Sequence, residues 1–141
     1  MAIKNYRTKI DATKTVGEIQ RLLSTKGIQA KSVSIDYIGG RPDAVRFVLA
    51  IRDKEFAFRL PCNPYGVQSA LKRDGVTSSF CSLEHARNVS WRIIKDWIDS
   101  QIAIIDSGQA QAAEVFFPYL LESGGETIYQ KFEFQQLQLK S

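Results

Sequence analysis

Between Val33 and Leu60, apolar and polar positions alternate with a period of two. Val33, Ile35 and Tyr37 form one apolar set, Val45, Phe47, Leu49 and Ile51 a second, and Phe56, Phe58 and Leu60 a third. This alternation predicts three strands with one apolar face each. Ile38-Gly-Gly-Arg-Pro42 and Arg52-Asp53 separate them and read as turns, the second a tight two-residue one. The result is an antiparallel meander. On both sides of it the period lengthens to that of a helix. Thr15-Val-Gly-Glu18 has the form of a capping box, Val16, Ile19, Leu22 and Leu23 follow at helical spacing, and Gly27 marks the stop. This helix is expected to cover the apolar face of the sheet. Asn63-Pro64 predicts the start of a short helix carrying Val67, Ala70 and Leu71 to about Arg73, followed by a polar loop over Asp74–Cys81. Ser82 is placed to cap a long helix to Ser107, closed by Gly108. A further helix from about Ala110 carries Val115, Phe116, Tyr119 and Leu120, with a kink or break expected at Pro118. Ser123-Gly-Gly125 reads as a turn. The tail after it fits a helix through Ile128 and Phe132 better than a strand through Phe132 and Phe134.

Residues 3–10 read as a short strand or an extended arm. The order is then β-α-β-β-β-α-α-α, an α+β fold with an antiparallel sheet covered on one side by helices. A chain of 141 residues is one domain by length and long enough for a core without metals or disulfides.

Winding Ser82–Ser107 at about 100° per residue gives a broad apolar arc. Ala86, Val89, Ile93, Trp97 and Ile104 mark its middle, with Ile94, Ile98 and Ile105 beside them. So wide an arc makes this helix the spine of the domain, with Ile93 and Trp97 expected in the core. The opposite stripe, Asn88, Arg92, Lys95, Asp99 and Asp106, reads as solvated. Arg87 is the exception: it sits at the edge of the arc, one turn before Trp91. One reading is an arginine stacked or snorkelling along apolar surface. The other is an Arg–Trp pair lining a cleft for an anion or a base.

The strands turn Ser32, Ser34, Asp36, Arg46, Val48, Ala50, Glu55, Ala57 and Arg59 away from the helices. A two-residue turn at Arg52-Asp53 pairs Ile51 with Lys54 and so sets Arg46 opposite Arg59. Like charges across a ladder destabilise it unless compensated. Either Asp36 faces Arg46, or a ligand phosphate bridges the two arginines.

Charge sharpens this picture. Residues 1–75 carry 14 Lys+Arg against 7 Asp+Glu, and residues 76–141 carry 5 against 8, within a net charge of +4. A basic strand-rich half joined to a mildly acidic helical half points to an anionic partner, of which nucleic acid is the commonest large one. Arg7, Lys9 and Lys14 can add charge at the rim of the sheet, depending on where the first strand lies. The candidate binding residues are Arg7, Lys9, Arg46, Arg59 and Arg87.

Other chemistry is sparse. No stretch approaches the length of a membrane span, and the first ten residues hold no signal-peptide-like apolar run, so neither a membrane location nor secretion is expected. Cys62 and Cys81 are too few and too far apart for a zinc site and read as reduced thiols. The acidic residues form no metal-binding pattern, and no phosphate-binding glycine motif is present, so no metal or cofactor is expected. Cys81 and His85, the one histidine, form the single nucleophile–base candidate at the start of the long helix, without an orienting third group. The expectation is a protein without catalysis. Where an RNA-recognition sheet presents stacking aromatics, this one has Ala and Val. The helix and meander share their order with a double-stranded-RNA-binding domain, but the basic pair Lys72-Arg73 lies at the wrong end of the second helix.

Four segments taken together carry a resemblance: Tyr6-Arg-Thr-Lys-Ile10, Thr15-Val-Gly-Glu-Ile-Gln20, Phe58-Arg-Leu-Pro61 and Trp91-Arg-Ile-Ile-Lys-Asp-Trp97. With these the chain resembles, from about Tyr6 to Tyr129, small proteins encoded by bacteriophages, prophages and related mobile elements. The resemblance implies an accessory protein acting in bacterial cytoplasm and implies no site. The leading expectation is a phage-type protein that binds nucleic acid through its basic half. The alternatives are an inhibitor or adaptor of a host protein, such as a polymerase or defence enzyme, using the Phe116-Phe-Pro-Tyr119 segment, and a protein that sequesters a nucleotide.

Overall fold

The computed structural model describes residues 2–24 and 26–140. It is an α+β fold built from a three-stranded antiparallel sheet and five α-helices among the described residues. The helices are α1 (Ala12–Ser24), α2 (Pro64–Arg73), α3 (Leu83–Asp106), α4 (Ala112–Phe116) and α5 (Ile128–Lys140). The strands are β1 (Ser32–Ile38), β2 (Arg41–Ile51) and β3 (Lys54–Pro61), in the spatial order β1-β2-β3. Residues 3–10 form no strand. They make a turn and then an arm leading into α1.

α1 begins a turn earlier than its Thr15 capping box predicts. Asp11 is the cap: its carboxylate accepts from the Thr13 amide at 2.9 Å and its carbonyl from the Thr15 amide at 3.2 Å. Thr15 therefore lies inside the helix, fully buried with Ala12, Val16, Ile19 and Leu23 on one stripe. That stripe packs on β1, β2 and α3. α2 starts where Asn63-Pro64 places it, with the Asn63 side chain accepting from the Gly66 amide at 3.1 Å. Ser82 caps α3 in the same way, through the His85 amide at 3.1 Å. Pro118 ends α4, and Phe117–Tyr119 continues as a single 3-10 turn.

The two hairpins differ in one respect. Arg52-Asp53 forms the expected two-residue turn, so Ile51 pairs with Lys54 and Arg46 with Arg59. The β1–β2 turn is also two residues long, Gly39-Gly40, both with positive φ (58° and 75°) as a primed hairpin turn requires. β2 thus begins at Arg41, earlier than the alternation indicates. The register slips at Asp36/Tyr37, so that Tyr37 pairs with Pro42 and Asp36 with Ala44, leaving Asp43 as a bulge residue.

The core is aromatic. Phe47 and Phe58 stack at 5.3 Å between centroids, and Phe116 meets Phe47 edge-on at 5.1 Å. From α3 the buried side chains are Ala86, Val89, Ser90, Trp91 and Ile98. The expectation for Ile93 and Trp97 is corrected here: both are half-buried, and the fully enclosed ring is Trp91, whose indole donates to the Pro42 carbonyl at 3.2 Å. The helix is rotated so that the Asn88 and Arg92 end of its polar stripe faces α1, while Asp99 and Asp106 remain exposed. Arg92 donates to the Glu18 carboxylate at 2.6 Å and to Thr15 at 3.3 Å, and Asn88 accepts from the Ala12 amide at 2.8 Å. Those two residues join the helices and are not part of a solvated face.

Candidate functional site

The five candidate basic residues fall into two groups. The first is on the uncovered face of the sheet. Arg46 and Arg59 stand opposite each other, and one Asp36 carboxylate oxygen accepts from both, from Arg46 Nε at 2.8 Å and Arg59 Nε at 3.2 Å. Arg59 also reaches Asp43 on the bulge at 3.3 Å. Asp36 sits opposite Ala44 and reaches Arg46 along the diagonal, while Ser34 occupies the position facing Arg46. Burial alone would push the Asp36 carboxyl up, but the hydrogen bonds and charges of Arg46 and Arg59 outweigh it and hold it below its ordinary value. Of the two expected compensations the internal one is formed. Two arginines against Asp36, Asp43 and the exposed Glu55 leave this face without a positive excess.

The second group is on the helical side, where the arm of residues 4–11 is tied to α3. Asn5 donates to Asp96 at 2.8 Å and Lys4 pairs with it at 3.2 Å. Tyr6 meets Phe80 edge-on at 5.9 Å, and its carbonyl is hydrogen-bonded to His85 Nε2. Arg7 lies over the Tyr6 ring at 5.3 Å, and both Arg7 and Lys9 are exposed without a carboxylate partner among the described residues. The arm ends at the Ala12–Asn88 hydrogen bond, beside a cleft of about 290 Å³.

Arg87 from α3, Arg41 and the Gly39-Gly40 turn, and Asp11 and Glu84 line this cleft. Arg87 Nε is buried there with no hydrogen-bond partner among the described residues. The α1 amides at the rim are already used, Ala12 by Asn88 and Thr13 by Asp11, and the cationic donors of the cleft are the Arg41 and Arg87 guanidinium groups. Trp91 is beneath the cleft and fully buried, so it does not form the wall of an Arg–Trp pair. Burial raises the Cys62 thiol to about 11, and the Arg87 charge opposes that rise. Arg41 was hidden in sequence inside a turn; the only signal was a cation directly after two glycines. Lys14 is exposed on the first turn of α1 beside the same cleft.

Cys81 and His85 face different partners. The Cys81 thiol points at the Val76 and Thr77 carbonyls at 3.4 and 3.6 Å, and the imidazole is held by the Tyr6 carbonyl and lies against the Phe80 ring at 5.2 Å. Among the described residues no group of three His, Cys, Asp or Glu is placed to hold a metal ion, and no helix is long and apolar enough to cross a membrane. Comparison with protein-family models, with curated proteins and with solved structures finds no match to this chain.

Proposed function

We propose that this is a phage-type accessory protein, acting without catalysis in the cytoplasm of a bacterial host, that holds a nucleic-acid strand by its phosphates along the arm and the α3 cleft. The observation that carries the reading is a cleft lined by both Arg87 and Arg41, where the Arg87 Nε has no hydrogen-bond partner among the described residues. A guanidinium binds phosphate through paired, charge-assisted hydrogen bonds, and two of them lining one cleft suit a phosphate better than either alone. In the cleft Asp11 and Glu84 balance Arg41 and Arg87, so the positive excess comes from the exposed Arg7, Lys9 and Lys14 of the arm and α1. The phage context is supported by the resemblance of the four sequence segments. Arg46 and Arg59 have a lesser part, because their charge is already met by Asp36 and Asp43.

The test is fluorescence anisotropy with labelled single-stranded and duplex oligonucleotides across a salt series. Wild type is expected to bind at low salt with a steep salt dependence. Arg41→Ala with Arg87→Ala is expected to weaken binding and to flatten the slope by about 0.7 to 0.9 for each phosphate that is no longer neutralised. Arg46→Ala with Arg59→Ala is expected to leave the slope nearly unchanged. Absence of binding at low salt would end the reading. Equal affinity for a mononucleotide would turn it into nucleotide sequestration.

A further inference from the structure

α5 is the one element whose surface contradicts its position. Every described side chain from Tyr129 to Leu139 is exposed, and Tyr129, Phe132, Phe134, Leu137 and Leu139 are 53%, 55%, 57%, 61% and 79% exposed. At about 100° per residue, Ile128, Phe132 and Leu139 fall on one stripe and Phe134 and Leu137 on the opposite side. Large apolar side chains thus stand exposed on two sides of a helix whose remaining positions are polar. Its own chain touches it mainly at the base: the Ile128 amide bonds the Leu120 carbonyl at 2.9 Å, and Thr127 and Gln130 cap each other's amides. The body beyond that base carries two apolar hollows, one lined by Tyr119 and the other by Phe117 and Leu120. The first, about 250 Å³, lies between Leu60, Ile94, Trp97 and Tyr119. The second, about 190 Å³, lies between Phe56, Phe58, Phe117 and Leu120.

We propose that the occupant of these hollows is α5 of a second copy of this chain, in a reciprocal two-fold dimer. One stripe of α5 enters the partner's hollows, and the other stripe meets the partner's α5 across the axis. The 117–120 segment that lines both hollows is also the base on which α5 stands, so helix and hollows are neighbours, as a self-complementary two-fold interface requires. The area is sufficient. Five large side chains more than half exposed offer about 500 Å² per helix; with the hollow surface that receives one stripe and with the second copy the total is about 1,500 Å², a standard stable interface. Charge agrees: from Ile128 to Leu139 the only charged side chains are Lys131 and Glu133, so two copies do not repel and phosphate is not attracted.

Light scattering on a sizing column, with sedimentation equilibrium from about 1 to 100 µM, tests this in the range where a standard interface is populated. The expected mass is twice the 15.9 kDa of the chain. Phe132→Gln with Leu139→Gln, on the helix, and Phe117→Ser, on the receiving side, are each expected to give monomer. The far-ultraviolet spectrum should be preserved, because these side chains are exposed in the single chain. Wild type that remains monomeric at the highest concentration overturns the proposal and leaves α5 to a foreign protein. A dimer that survives both variants overturns it too, because the interface then lies elsewhere.

Discussion

At the scale of residues, the outer sheet face turns on Asp36. One carboxylate stands between two guanidinium groups that would otherwise repel across the ladder. Its pKa is held below the ordinary 3.8 in the folded chain, so its contribution is fully present above that value and is lost as pH falls through the folded value. Asp96, paired with Lys4 and Asn5, is lowered in the same direction against the opposing effect of burial. Asp36→Asn is therefore expected to be less stable than wild type at neutral pH. The gap should close in acid below about pH 4, where wild type protonates as well. Urea denaturation at a series of pH values reads this, and a gap that stays constant into acid would show that the carboxylate charge is not what matters. Arg92 has a comparable part in the interior, joining α3 to Glu18 and Thr15 of α1.

At the scale of elements, the turns decide what faces what. Arg52 and Asp53 both adopt positive φ, 51° and 69°, in a primed two-residue turn. An arginine in that region is strained by about 1 kcal/mol relative to residues suited to it. Arg52→Asn with Asp53→Gly is expected to stabilise the protein by about 0.5–1 kcal/mol, a rise of roughly 2–4 °C in Tm for a domain of this size. Differential scanning calorimetry checks it, and an unchanged or lower Tm would place no strain in this turn. The alternating positions predict this hairpin and its Arg46–Arg59 pairing because a two-residue loop leaves a single register. The other hairpin escapes such reading: the bulge at Asp43 shifts one strand by a residue without altering the apolar pattern that follows. Asp11, and not Thr15, starts α1 because both residues suit a cap and only the packing of Ala12 and Val16 on the core selects between them.

At the scale of the whole molecule, α3 is the spine, and its rotation about its own axis sets the core. Trp91 is enclosed with its indole nitrogen bonded to Pro42, while Trp97 leans edge-on against Phe116 and Tyr119 at 5.6 and 6.0 Å with one side open. Trp91→Ala is expected to cost about 3–5 kcal/mol and Trp97→Ala clearly less, measured by chemical denaturation. The reverse order would mean that the helix is turned as its apolar arc alone indicates. The three strands, the helices at 64–73 and 83–106, the break at Pro118 and the pairing of Arg46 with Arg59 are all legible in the order of residues along the chain. Each follows from spacing, capping or turn length within a few residues. Which tryptophan is buried, that Arg92 and Asn88 face α1, that Arg41 and Arg87 share a cleft, and that α5 stands uncovered are settled by folding in three dimensions. These outcomes depend on segments far apart in the chain meeting at one place. An apolar arc wide enough to be buried on several sides leaves the final rotation to whatever packs against it.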